Sequence, residues 1–80
     1  MATRAENEKK FKQWVDNPDG TRTYRYVVKG RRGWLAHYVK LVDADENTMS
    51  FRQEVYNENN VLVETHEKYP TDTGHKKMKG

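Results

Sequence analysis

Five side chains in this sequence could share one piece of chemistry: His37, Arg52, Glu54, Glu64 and His66. They fall on three successive runs of β pattern, 34–42, 48–56 and 61–68. A histidine and a glutamate can act as general acid and base, and an arginine can meet charge developing on a phosphoryl oxygen. That set suffices to cleave RNA without a metal, with the 2′-hydroxyl as nucleophile. Folding the middle hairpin about Asp43–Asn47 places His37 across from Glu54. A three-residue loop in the next hairpin places His66 across from Arg52, with Glu64 adjacent. His37, Arg52, Glu54 and His66 are then the candidate catalytic residues, and the Glu54 charge is expected to raise the His37 pKa. Two His and two Glu could instead hold a divalent metal, and ordinary cross-strand pairing on a solvated sheet face needs neither chemistry. The expectation is no metal and no cofactor.

A second set is basic and aromatic. Residues 21–42 carry Arg22, Arg25, Lys29, Arg31, Arg32 and Lys40 and no acid. Residues 43–67 carry Asp43, Asp45, Glu46, Glu54, Glu58, Glu64 and Glu67 against the single base Arg52. Arginines neutralise phosphates and aromatic rings stack on bases. The candidate nucleic-acid-binding residues are Arg25, Arg31, Arg32 and Trp34, with Tyr24 and Tyr26 interleaved. His75, Lys76 and Lys77 join them if the tail folds back, and otherwise form an exposed end. The asymmetry would equally supply ion pairs within the sheet.

Three lookalikes carry less. Asp43-Ala44-Asp45-Glu46-Asn47 with Glu54 has several EF-hand spacings, but Thr48 stands where the sharp turn requires glycine. Asp72-Thr73-Gly74 matches a short aspartic-protease signature, which needs two carboxylates in a buried site. His66-Glu67 begins like a zinc-protease helix, but Pro70 occupies the place of the second histidine.

Positioning these residues requires hairpins. Thr21–Lys29, Trp34–Val42, Thr48–Tyr56 and Val61–Lys68 read as strands, with turns at Gly30–Gly33, Asp43–Asn47 and Asn57–Asn60. Such short connections favour an antiparallel meander. The middle register pairs Val42 with Met49, Lys40 with Phe51, Tyr38 with Gln53 and Ala36 with Val55. With Trp34, Val61 and Val63 these make the core face. The opposite face mixes the polar cluster with Leu35, Val39, Leu41, Tyr56 and Leu62. Ahead of the strands, residues 3–15 read as a helix: Thr3 and Glu6 have capping-box spacing, and Glu6–Lys10 and Glu8–Lys12 are i,i+4 pairs. The alternative there is a strand through Phe11–Val15 entering a Pro18-Asp19-Gly20 turn. The fold class is therefore α+β, a short N-terminal helix on a four-stranded antiparallel meander. It is a single domain over 1–80, with an ordered core over 4–69 and a tail over 70–80.

Eighty residues, 34% hydrophobic and 34% charged, leave a thin core, and thin cores favour association, so a homodimer is expected. The nine aromatic residues (two Trp, five Tyr, two Phe) argue against disorder despite a mean hydropathy of −1.22. With no cysteine there is neither a disulfide framework nor a thiolate metal site. No apolar run is long enough for a membrane helix or signal peptide, so no membrane partner and a cytoplasmic location are expected.

The runs Arg25–Trp34, Phe51–Tyr56 and Leu62–Pro70, with Asp72, Gly74 and His75, resemble a small family of uncharacterised prokaryotic proteins over residues 20–77. The resemblance implies no particular activity. More remotely, a β-meander ending in a Pro-and-His segment is similar to small toxins of prokaryotic toxin–antitoxin pairs, whose endings are richer in histidine. The leading functional expectation is a small RNA-binding module. The alternatives are a toxin-like, metal-independent ribonuclease and a structural or antitoxin-like domain that binds another chain through Leu35, Val39 and Leu62.

Overall fold

The computed structural model describes residues 2–71 and the backbone of 74–77. The chain runs α1 (Arg4–Phe11), β1 (Gln13–Asp16), β2 (Arg22–Lys29), β3 (Leu35–Val42), β4 (Thr48–Tyr56), β5 (Leu62–Tyr69) and β6 (Gly74–Lys77). One short helix and five antiparallel strands make an α+β domain, and β6 adds its backbone to β5. Every strand pairs with its neighbours in sequence, so the sheet is a meander.

The expected helix over 3–15 is two elements. Thr3 and Glu6 form the predicted capping box, but the helix stops at Phe11 because Lys12 adopts the left-handed conformation, φ 63°. Gln13–Asp16 then pairs with Arg22–Arg25 as a fifth strand. The sheet edge supplies those residues with ladder bonds that a last helical turn could not match. Lys12 therefore lies outside the helix, and Glu8 bonds Arg22 across the fold.

All four hairpins of the β1–β5 meander share a closing bond, although the β2–β3 turn differs inside it, with Arg32 also left-handed (φ 59°) and Trp34 N–H donating to the Arg31 carbonyl. The first residue's N–H donates to the fifth residue's carbonyl in Asn17–Thr21 (2.8 Å), Gly30–Trp34 (2.7 Å), Asp43–Asn47 (2.9 Å) and Asn57–Val61 (3.0 Å). The fourth residue has positive φ each time: Gly20, Gly33, Glu46 and Asn60. Glycine and asparagine tolerate that geometry; Glu46 departs from the pattern. This turn pairs Val42 with Thr48 instead of Met49, and a bulge at Met49 restores the expected register from Leu41↔Ser50 onward.

The last hairpin carries a larger correction. Tyr56 pairs with Leu62 as expected, but a bulge at Val63 puts Glu64 opposite Val55 and His66 opposite Gln53. A one-residue shift moves each later side chain to the other face. His66 therefore shares a face with Gln53 and Tyr38, while Glu67 and Thr65 lie across from Arg52 and Glu54. Val61 stands in the turn and is exposed.

The core is small. Phe11 packs on Tyr24, Tyr26 and Phe51 at ring-centroid separations of 5.5, 5.2 and 6.3 Å. Phe11, Tyr24 and Val42 are buried there, with Tyr26, Tyr38 and Phe51 against them. Burying Phe11 contributes roughly 2–3 kcal/mol. Polar ties complete the dock: Glu46 accepts from Asn7 (2.9 Å), Tyr24 (2.7 Å) and Arg4 (3.2 Å). Arg22 bridges Asp16 (2.6 Å) and Glu8 (2.7 Å). The helix covers only this end of its face, and Trp34 and Val28 at the other end remain exposed.

Candidate functional site

The outer sheet face, opposite the helix, assembles part of the expected polar cluster. Residues two apart on β4 and opposite on β3 share that face, so Glu54 meets Arg52 and Tyr56 along its own strand and His37 across the ladder. Glu54 accepts from Arg52 Nε at 2.7 Å and from the Tyr56 hydroxyl at 3.1 Å. Arg25 Nη1 reaches both Glu54 (3.4 Å) and His37 Nδ1 (2.9 Å). Guanidinium has no acceptor, so this contact is a hydrogen bond when His37 Nδ1 accepts, as it does in the Nε2–H tautomer. The Tyr56 ring lies 4.7 Å from the imidazole.

The electrostatics run against the sequence expectation. Burial, then the Arg25 charge, holds the His37 pKa below its ordinary value, and Glu54 opposes this without prevailing. Burial works against the Glu54 carboxylate, but Arg52, Tyr56 and Arg25 outweigh it and keep the group below the usual carboxylate range. This direction is the opposite of the rise expected for His37. His66 lies on the other face, so the His37–His66 acid–base pair is not assembled at one phosphodiester. Glu64 likewise stands apart, across from Val55. Val39, expected to meet another chain, is already 1% exposed between its register partners Arg25 and Arg52.

The basic hairpin is divided. Arg25 belongs to the outer-face cluster. Arg22 is buried between the Trp14 and Tyr24 rings (5.5 and 5.6 Å), and its carboxylate partners raise its pKa. Arg31 and Arg32 are exposed in the β2–β3 turn. Trp34 donates its indole N–H to Glu58 of the β4–β5 turn. There, on the helix side, Arg31, Arg32, Trp34, Ala36, Gln53 and Val55 line a groove of about 350 Å³. His75, Lys76 and Lys77 have backbone paired to β5; their side chains, with Asp72 and Thr73, lie outside the described residues.

A feature absent from the sequence reading occupies the rest of the helix-side face. Tyr26 and Tyr38 stack with centroids 4.7 Å apart and planes 12° apart, and Tyr38 continues to Phe51 at 6.4 Å. Lys68 hangs over Tyr38 (5.3 Å) and Phe51 (5.8 Å), and Lys10 and Lys40 hang over the adjoining Phe11 (5.7 and 5.9 Å). Lys10, Phe11, Lys40, Phe51 and the exposed Tyr69 line an open groove of about 430 Å³. Burial, then Lys10, lowers the Lys40 pKa, and Glu46 opposes the shift. Lys40 also donates to Asn7 at 2.9 Å. Each lysine adjoins an aromatic residue in sequence or two positions along a strand (Lys10-Phe11, Tyr38/Lys40, Lys68-Tyr69), and that spacing was the available signal.

Among the described residues no group of three or more metal-ligating side chains converges, and no helix is long and apolar enough to cross a membrane. No family model, curated protein or solved structure matches the chain.

Proposed function

We propose that this chain is a small module that binds single-stranded nucleic acid, RNA foremost, on the helix-side face of its sheet. The observation that carries the reading is the aromatic row Phe51–Tyr38–Tyr26 with Lys68 over two of its rings, Lys10 and Lys40 over the adjoining Phe11, and Arg31 and Arg32 lining a groove farther along the same face. Four residues of β4 separate Phe51 from Val55, about 13 Å, enough for a few nucleotides. Unpaired bases stack on accessible ring faces, here the exposed Tyr69 and Trp34 flanking the half-buried row, while basic groups follow the phosphates. A duplex hides its base faces and fits such a platform poorly. Compared with the sequence expectation, the contact moves from Arg25 to Lys10, Lys40 and Lys68 and keeps Arg31, Arg32 and Trp34.

Anisotropy titration of a labelled single-stranded RNA over a salt series tests this. The logarithm of affinity should fall with the logarithm of salt, and Lys10→Ala and Lys68→Ala should each reduce that slope by about 0.7. Tyr69→Ala should weaken binding by about 1–3 kcal/mol if a base stacks there. Unchanged slopes in both lysine variants, or equal affinity for duplex, would overturn the assignment.

A further inference from the structure

β1 covers only half of β2. It pairs with Arg22–Arg25 and begins at Gln13, directly after the left-handed Lys12. Along Tyr26–Lys29, β2 has β3 as its only strand partner among the described residues. The hydrogen-bonding sense of that stretch follows from the turn: Gly30 N–H bonds the Trp34 carbonyl. Antiparallel ladders alternate, so Val28 and Tyr26 turn their amides and carbonyls in toward β3, while Val27 and Lys29 turn theirs out. The first hairpin gives the same answer. The Asn17–Thr21 closure makes Thr23 and Arg25 the residues bonded to β1, and Val27 and Lys29 continue that row. Two donors and two acceptors therefore stand at strand spacing along an edge where Val27 and Val28 are 40% and 46% exposed.

We infer that this edge takes up one added strand, a β-forming acidic segment of another protein. A row of outward donors and acceptors at this spacing is what an extended backbone satisfies. Side chains give it selectivity. Val27 and Lys29 point to the same face as Arg25, so the incoming strand needs a β-branched residue opposite Val27 and a carboxylate opposite Lys29. The segment's own charge has one sign: residues 21–42 contain no acid, and Arg31 and Arg32 follow at once, although Glu54 meets Arg25 and Glu58 meets Trp34 from β4 and its turn. That charge also argues against a second copy as the occupant. Self-pairing in either direction lays Lys29 and its neighbouring arginines against the same basic segment of the partner, and a lysine on an open edge is a common guard against such pairing. The outward backbone row of Val27 and Lys29 is distinct from the aromatic platform proposed for nucleic acid, although Tyr26, Arg31 and Arg32 border both.

The probe is a dye-labelled synthetic peptide that alternates threonine with valine and glutamate, compared with the same peptide carrying lysine for glutamate. The glutamate peptide should bind, weaken as salt is raised, and slow amide hydrogen exchange at Val27 and Lys29. Val27→Pro removes an outward donor and no β2–β3 bond. It should keep the circular dichroism spectrum and lose at least about tenfold in affinity. Lys29→Glu should exchange the preference in favour of the lysine peptide. Equal binding of both peptides by the unaltered protein would overturn the inference, as would undiminished binding by folded Val27→Pro. So would a dimer in which the Val27 and Lys29 amides are already protected, since that assigns the edge to a second copy.

Discussion

His37 shows how one arginine can reverse the expected sign of a titration. A carboxylate across the ladder favours imidazolium, but Arg25 stands between them and donates to Nδ1 while burial penalises the charge. The folded protein therefore binds this proton less readily than the unfolded chain. The stability linked to His37 is fully present above the unfolded value near 6.5 and is lost as pH falls from there toward the lower folded value. The charged and titrating groups around the ring are Arg25, Glu54 and Tyr56. The titration of the His37 ring protons, followed by NMR, should have its midpoint below 6.5, and the decline of unfolding free energy across that window should flatten in His37→Gln. A midpoint above that value would mean that Glu54 prevails.

At the scale of elements, the β3–β4 turn does more than reverse the chain. Glu46 sits at the position of the five-residue turn that Gly20, Gly33 and Asn60 occupy elsewhere, with φ 66°. A left-handed glutamate costs about 1 kcal/mol relative to glycine. The side chain offsets that cost by gathering Asn7 and Arg4 of α1 and Tyr24 of β2 onto one carboxylate. Asn7 is 1% exposed and Tyr24 fully buried, so removing their acceptor leaves buried donors unsatisfied, at about 1–3 kcal/mol. Glu46→Gly should therefore destabilise the protein despite relaxing the backbone, by about 1–2 kcal/mol net in urea unfolding. Asn60→Gly makes the same backbone change with no such network and should be neutral or slightly stabilising. If Glu46→Gly proved the more stable protein, the carboxylate would not be what holds the helix.

For the molecule as a whole, one thin sheet with a helix over part of one face predicts graded stability. β3 and β4 each have a full-length neighbour on both sides, whereas β1 has four residues on a free edge, all exposed. α1 is tied down by Phe11 and a few side-chain bonds. Native-state hydrogen exchange should report the highest opening free energies in β3 and β4 and the lowest in α1 and β1, which should open together. Uniform protection across all of them would show that the helix belongs to the cooperative core.

What the sequence alone determined were features encoded locally. Alternation of apolar residues and turn chemistry placed β2 to β5 to within a residue, and Thr3 with Glu6 marked the helix start. His37 opposite Glu54 was counted outward from the Asp43–Asn47 turn, and the bulge at Met49 is what makes that pairing hold. Tertiary structure decided the rest because it depends on partners distant in the chain. An available sheet edge turned residues 13–16 from helix into strand. A bulge of one residue at Val63 sent His66 to the face opposite His37, since side chains alternate and no local signal marks the extra residue. The placement of Lys10 and Lys40 over Phe11 and of Lys68 over Tyr38 and Phe51 required α1, β3 and β5 to converge on one group of packed rings. That convergence is a property of packing, because three isolated lysines in a sequence look the same whether they meet or not.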